Sequence, residues 1–103
     1  MESLPKSGER VRKVLVTMPC QLGLHLRTAA LFINFANKFQ SKIRIRKNEI
    51  IVDGKSVLGL LTLGASRNTK LCVEVEGTDA DFAIEKIKEY FQNQKNCVDK
   101  PLE

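Results

Sequence analysis

The chain has 103 residues, of which 43% are hydrophobic and 28% are charged, and these proportions are typical of one globular domain with a single core. A second domain does not fit in this length. No stretch approaches the roughly 20 apolar residues of a membrane-spanning helix, and the opening MESLPKSGER lacks the apolar run of a signal peptide. We therefore expect a cytoplasmic protein without a membrane-inserted segment.

The formal charge of +5 raises the hypothesis of a nucleic-acid-binding protein, because clustered lysine and arginine gain affinity by releasing phosphate counterions. The distribution of charge argues against it. The basic segment KIRIRK is offset by the acidic segments EVEG and DADF, and aromatic residues are too few for a base-stacking platform. We therefore expect no nucleic-acid partner.

A strand and an amphipathic helix are the first predicted elements. The segment VRKVLVTM, which begins at Val11, is β-branched, roughly alternating and bounded by Pro19, so it predicts a strand. From Leu26 to about Lys38 the apolar residues recur with the period of a helix packed on a sheet. The predicted apolar face consists of Leu26, Ala29, Ala30, Ile33 and Ala36, widened by Phe32, Phe35 and Phe39.

A hairpin and a short helix follow. In SKIRIRKNEIIVDG, Ile43 and Ile45 are predicted to point inward, and residues 47–49 supply the turn. The next apolar run, KSVLGLLTLGAS, is short enough to be a buried strand or a helix. A helix is favoured because Ser56 is a preferred N-cap type and Gly64 is a plausible stop. The residues that then meet at helical offsets are Leu60, Leu61 and Leu63.

The last predicted elements are a half-buried strand and a helix. KLCVEVEG alternates cleanly, with Leu71, Val73 and Val75 on one face. Thr78 or Asp79 is then positioned to cap a helix. The apolar stripe of that helix consists of Ala80, Ala83, Ile84, Ile87 and Phe91.

The predicted order β-α-β-β-α-β-α, with one-sided strands, favours an α+β fold in which helices cover one face of a four-stranded sheet. The other face meets water. If the strands are neighbours, Arg44 and Arg46 lie there beside Glu74 and Glu76. Such exposed cross-strand pairs contribute well under about 1 kcal/mol each.

The tripeptide Gly54-Lys55-Ser56 also ends the Walker A phosphate loop. The full motif requires another glycine five positions before Gly54, and that position is Glu49, whose carboxylate would repel a bound phosphate. We therefore reject an ATPase. Taken alone, Ser56 is interpreted as a helix N-cap.

The three cysteines, Cys20, Cys72 and Cys97, are an odd number without a C-x-x-C pair, so they predict neither a disulfide framework nor a zinc site. Cys20 is close to His25, which raises the hypothesis of a Cys–His hydrolase or transferase. We disfavour it because a separation of five residues in a turn does not fix hydrogen-bond geometry and no orienting group is evident nearby.

His25 is the single histidine of the chain and stands immediately before the predicted helix. It is either a structural imidazole at a helix start or a chemical group. The chemical reading has physical support, because the unpaired N–H groups and the dipole of a helix N-terminus attract an anion, and Arg27 adds positive charge. The same field keeps the imidazole neutral and nucleophilic. His25 is thus well placed to accept and hold a phosphoryl group.

Two segments of the chain resemble one known family. GLHLRTAA is similar to the active-site stretch of HPr, the histidine-containing phosphocarrier of the bacterial phosphoenolpyruvate-dependent phosphotransferase system. GKSVLGLLTLGA resembles the second HPr signature, and the interval from His25 to Ser56 is also that of the family. The resemblance runs from about Val11 to Gln92 and implies an open-faced β-sandwich, an antiparallel sheet with three helices on one side.

The resemblance also implies roles for individual residues. His25 matches the histidine that enzyme I phosphorylates, and Arg27 matches the arginine that neutralises the phosphoryl oxygens. Ser56 matches the serine modified by the ATP-dependent HPr kinase/phosphorylase in bacteria that have it. The residues implied to contact partners are Leu24, Leu58 and Leu61, in a region where enzyme I presents acidic residues.

By the same resemblance, the chain is a phosphoryl carrier without cofactor or metal and not an enzyme, and we expect a monomer. Its partners are enzyme I and enzyme IIA proteins. The HPr-like domain is expected at residues 11–92, between a flexible N-terminal extension at 1–10 and a polar C-terminal tail at 93–103. The alternative is a regulatory protein of the same fold that acts through Ser56 and has lost the transport role.

The position after the arginine departs from the common family pattern. Proline is usual there, whereas this chain has Thr28. Proline near a helix start presets φ, but threonine leaves the backbone freer and is able to hydrogen-bond locally. We expect the carrier role to survive, with an effect on rate and partner choice.

Overall fold

The computed structural model describes residues 10–18, 26–65 and 68–92, which form four strands and three helices. In chain order these are β1 (Arg10–Thr17), α1 (Leu26–Ala36), β2 (Lys42–Lys47), β3 (Ile50–Asp53), α2 (Val57–Leu63), β4 (Lys70–Gly77) and α3 (Ala80–Gln92). This is the predicted order β-α-β-β-α-β-α.

The four strands form one antiparallel sheet in the order β1-β4-β2-β3. Alternate residues point to one face, as in the row in which Val14, Val73 and Ile45 stand side by side. Helix α3 packs against β1 and β4, α2 packs against β3, and α1 packs against α2. The predicted α+β fold, an antiparallel sheet with helices on one face, is confirmed.

Arg44 and Arg46 differ in their pairing on the opposite face. Arg44 stands opposite Glu74 and binds both Glu74 and Glu76, with nitrogen–oxygen distances of 3.4 and 2.8 Å. Arg46 stands opposite Cys72 instead. The predicted pairing is therefore correct for Arg44 and wrong for Arg46, because the register places the second arginine one row beyond the glutamates.

Helix α1 buries most of the predicted apolar face but not all of it. Ala29, Phe32 and Ala36 lie in the core, whereas Leu26 is 64% exposed and Ala30 is also exposed. The helix has apolar residues around most of its circumference, so their spacing alone does not select the buried side.

Helix α1 ends at Ala36, two residues before the predicted end. The N–H groups of Lys38 and Phe39 donate to carbonyl oxygens three residues earlier, at 3.2 and 3.1 Å. This tightening is common at helix C-termini.

Both ends of helix α2 are capped as predicted. Ser56 Oγ accepts a hydrogen bond from the N–H of Gly59 at 3.0 Å. Gly64 adopts the left-handed conformation (φ 56°), and its N–H donates to the carbonyl of Leu60 at 3.1 Å. Leu60 and Leu63 enter the core, but Leu61 does not, so the three leucines do not share one face.

Asp79 precedes α3, as an N-cap residue does, but its carboxylate binds the loop between α1 and β2. It accepts hydrogen bonds from the N–H groups of Gln40 and Ser41, at 2.9 and 3.0 Å, and from the hydroxyl of Ser41. Gly77 permits this close approach, because a Cβ there would lie 2.7 Å from the Cα of Ser41. Asp79 therefore joins two distant parts of the chain.

We predict that Asp79→Ala lowers the free energy of unfolding at neutral pH by about 1–3 kcal/mol, because it leaves the polar groups of buried Ser41 without their acceptor. Partial burial alone would raise the pKa of Asp79, but the hydrogen bonds from Ser41 and Gln40 outweigh it and lower the pKa. The stabilisation is thus present above the unfolded-state pKa of about 3.9 and disappears as the pH falls through the folded-state value.

Urea unfolding of the wild type and the variant at pH 7 and at successively lower pH measures this effect. Glu89→Ala is the matched control, since Glu89 is an exposed carboxylate on α3, the helix that Asp79 precedes, and its pair with Lys86 spans 3.6 Å. A difference between wild type and Asp79→Ala that stays constant down to acidic pH would contradict the assignment.

Within the described residues, none of the helices is both long enough and apolar enough to cross a membrane.

Candidate functional site

The predicted phosphorylation site lies at the N-terminus of α1. His25, together with Leu24 and Cys20, falls outside the described residues, and the helix begins directly after it at Leu26. The side chain of Arg27 is exposed in the first turn. The N–H groups of this turn have no intrahelical acceptors, and the helix dipole places partial positive charge there. With Arg27, this end of the helix favours an anion.

Exposed apolar side chains lie on both α1 and α2, which contact each other. Leu58 is 77% exposed and Leu61 is 36% exposed, and both were predicted partner contacts. The structure adds two residues that sequence reasoning did not place there, Leu26 and Val57. We call these four residues, Leu26, Val57, Leu58 and Leu61, the apolar surface. Large exposed apolar side chains of this kind are characteristic of protein-binding surfaces.

Ser56 stands at the junction between β3 and α2. Its N–H donates to the carbonyl of Asp53 at 3.1 Å, and its hydroxyl oxygen caps α2. The side chain is partly exposed. Ser56 is thus a structural cap, as predicted, and its hydroxyl lies at the edge of the helix that carries most of the apolar surface.

Two lysines fix the position of α2, and sequence reasoning missed both. Lys55 Nζ donates to the carbonyl of Phe39 at 2.7 Å, next to the N-terminus of α2. Lys47 Nζ donates to the carbonyl of Leu63 at 3.1 Å, at its C-terminus. These contacts join residues 16 positions apart, and no local pattern indicates them. Together they hold a helix of seven residues at both ends.

Residues 13–93 match a family model described as the PTS HPr component phosphorylation site. The chain belongs to the HPr family. The match covers β1 from Lys13 onward, the other three strands, the three helices and the segment that contains His25. The resemblance stated from the two sequence motifs is therefore confirmed at the level of the family, which is the phosphocarrier family of the phosphotransferase system.

Relatives in the HPr family are similar along most of their length. The chain is 35% identical over 80 residues to the phosphocarrier protein HPr of Pseudomonas aeruginosa, covering 77% of this chain and 89% of the relative. It is also 35% identical over 79 residues to the HPr-like protein Crh of Bacillus subtilis, covering 77% of this chain and 93% of the relative.

Solved structures agree with the HPr fold. The crystal structure of HPr from Thermoanaerobacter tengcongensis superposes with a TM-score of 0.78 at 31% identity, covering 88% of this chain and 99% of that chain. HPr from Bacillus anthracis gives a TM-score of 0.74 at 33% identity, covering 80% and 98%. The open-faced sandwich predicted from the resemblance is therefore the fold of this chain.

Proposed function

We propose that this chain is a cytoplasmic phosphoryl carrier in which His25 accepts a phosphoryl group from phospho-enzyme I, charged by phosphoenolpyruvate, and passes it to an enzyme IIA protein. The observation that carries the proposal is the match to the HPr phosphorylation-site family in a chain with a single histidine. That histidine directly precedes a helix whose first turn favours anions.

The transfer needs no cofactor in this scheme. A neutral imidazole nitrogen of His25 attacks the phosphorus, a nitrogen–phosphorus bond forms, and the bond between phosphorus and the donor breaks. The reverse sequence, with the IIA protein as nucleophile, releases the group. The chain contributes positioning and neutralisation of charge on the phosphoryl oxygens, which are the principal means of catalysing phosphoryl transfer. This chain is then a substrate and a donor, and the enzymes are its partners.

The apolar surface supports a docking role for α1 and α2. Leu58 and Leu61 are exposed on a short helix that lysines hold at both ends, so the partner meets a preorganised surface. Exposed leucines with a charged rim give an interface both apolar contact and electrostatic selectivity. We propose that enzyme I and the IIA protein use this surface in turn, with Leu24 as a further contact and the carrier acting as a monomer.

Arg27→Ala is expected to slow phosphoryl transfer by about tenfold to a thousandfold without unfolding the domain, because it removes a charged donor from the phosphoryl oxygens. Stopped-flow or quench-flow transfer from phospho-enzyme I measures the rate, and thermal unfolding measures the fold. Lys38→Ala serves as the control, since it removes an exposed positive charge just beyond the other end of α1. Loss of folding in Arg27→Ala, or equal rates in the two variants, would contradict the proposed role.

A second candidate function is purely regulatory, and the similarity to the HPr-like protein Crh favours it. In that case Ser56, phosphorylated by an HPr kinase/phosphorylase, carries the signal and His25 does not take part in transport. A crystal structure of Crh is described as a swapped dimer, which is a property of that protein. Transfer of a phosphoryl group from phosphoenolpyruvate through enzyme I to this chain distinguishes the carrier from the regulator.

A further inference from the structure

The sheet face turned away from the helices is uncovered and carries both apolar and charged side chains. Because alternate residues of each strand point to this side, the strand register gives two neighbouring rows across β1, β4, β2 and β3. One row is Leu15, Cys72, Arg46 and Ile51. The next is Lys13, Glu74, Arg44 and Asp53. We call these two rows the open face.

Two large apolar side chains stand at the ends of the first row. Leu15 is 74% exposed and Ile51 is 51% exposed. Three strand spacings of about 4.8 Å separate their strands, so the two side chains lie about 14 Å apart. Cys72 and Arg46 occupy the positions between them. An apolar pair that flanks a cation is a pattern suited to a protein ligand.

The positive charge of the open face is only partly neutralised. Arg44 binds both Glu74 and Glu76, and its hydrogen bond holds the pKa of Glu76 below the ordinary value, so these carboxylates neutralise the charge of Arg44. Lys13 and Arg46, in contrast, have no carboxylate partner within the part of the chain that the structure describes. These two cations are therefore available to a ligand.

A shallow depression of about 40 Å³ lies between the two cations, and Cys72, Ile51 and the Arg44–Glu74 pair complete its lining. Its volume is close to the roughly 30 Å³ that one water molecule occupies in the liquid. Pockets for small molecules are roughly ten times larger. The depression therefore fits one small head group, such as a carboxylate, and not a metabolite.

We propose that the open face is a docking surface for an acidic segment of a partner protein, which places a carboxylate between Lys13 and Arg46 and apolar side chains against Leu15 and Ile51. An anionic membrane or a nucleic acid presents a continuous negative surface, which would lie over Glu74 as well as over the cations. A protein segment places its charges individually, so one carboxylate meets both cations and no further negative charge is brought to Glu74, which itself lines the depression.

The open face is on the opposite side of the sheet from α1 and α2, so a segment bound there leaves the apolar surface accessible. The chain is then able to hold one partner on each side at the same time. This inference rests on the sheet alone and does not depend on phosphorylation of His25.

Titration of the ¹⁵N-labelled full chain with a short peptide of alternating glutamate and leucine tests the proposal. We expect amide shifts confined to β1, β4, β2 and β3, and binding that weakens as salt is added. Arg46→Glu and Leu15→Ser are each expected to weaken binding about tenfold or more. Lys38→Glu is the control with the same change of charge, because Lys38 is exposed after α1, on the helix side of the sheet. The affinity of this variant for the peptide should stay within about twofold of that of the wild type.

Three results would overturn the proposal: equal binding of a peptide with lysine in place of each glutamate, equal weakening by Lys38→Glu and Arg46→Glu, or shifts confined to α1 and α2. Thermal unfolding of each variant verifies that the fold is intact. The phosphotransfer rate from enzyme I, measured with and without saturating peptide, should be unchanged. A chain that binds the peptide but accepts no phosphoryl group would refute the carrier proposal and leave this one standing.

Discussion

Replacing His25 with alanine is expected to abolish acceptance of a phosphoryl group from phosphoenolpyruvate and enzyme I. The chain has one histidine, so no second imidazole is available to form the nitrogen–phosphorus bond. Loss of the nucleophile removes the reaction itself. Loss of a charge-neutralising group such as Arg27 only slows the transfer. Labelling with radioactive phosphoenolpyruvate, followed by acid treatment, measures the bound group.

The structure predicts that the domain tolerates this change. Helix α1 starts at Leu26, and the described core is formed by residues other than His25. The melting temperature of His25→Ala should therefore stay close to that of the wild type. Undiminished acid-labile labelling in the variant would refute the assignment of His25.

Phosphorylation of Ser56 is expected to lower the rate of His25 phosphorylation by about tenfold or more while leaving the fold stable. The modification places roughly −1.5 to −2 charges at the N-terminus of α2, where the helix dipole favours negative charge. The same charge lies beside Leu58 on the surface that enzyme I is proposed to cover. The family resemblance implies acidic residues on that partner. Like charges brought together at an interface cost several kcal/mol, and every increment of about 1.4 kcal/mol weakens binding tenfold.

Two variants separate charge from capping at this position. Ser56→Asp keeps a capping oxygen and adds a single charge, so it should slow transfer less than phosphate does, with partial rescue at high salt. Ser56→Ala removes the acceptor of the Gly59 N–H and should cost about 1 kcal/mol of stability with little effect on transfer. Equal rates of His25 phosphorylation for the unmodified and the Ser56-phosphorylated protein, at low salt and limiting enzyme I, would show that Ser56 acts only as a helix cap.

The features of α2 were predictable because they depend on neighbouring residues. Ser56 and Gly64 are the residue types that helix starts and stops require, and they stand at the correct separation. The rows of alternating residues in β2 and β4 were predictable for the same reason, since a strand has a period of two.

Features that depend on tertiary contact were not predictable. The carboxylate of Asp79 binds Gln40 and Ser41 across 39 and 38 positions, so its place before α3 suggested only a cap. Arg46 stands opposite Cys72 and not opposite a glutamate. The register between β2 and β4 decides which residue faces Arg46, and the strand sequences do not fix that register.

The candidate site likewise combines features that were predictable from local sequence with features that depend on tertiary contact. The two motifs predicted His25, Arg27 and Ser56 as a set, but the extension of the apolar surface to Leu26 emerged only from the structure. In a helix as apolar as α1, the side that faces solvent is decided by packing against α2.

Transfer of phosphate through the chain is the most direct test of the carrier proposal. Intact-mass spectrometry of the full chain, incubated with phosphoenolpyruvate and the enzyme I of its own organism, should detect the gain of one phosphoryl group that acid removes. Peptide mapping under alkaline conditions should place the group on His25, and addition of a IIA protein should discharge it. A chain that stays unmodified, or a stable phosphoryl group at any other residue, would contradict the account.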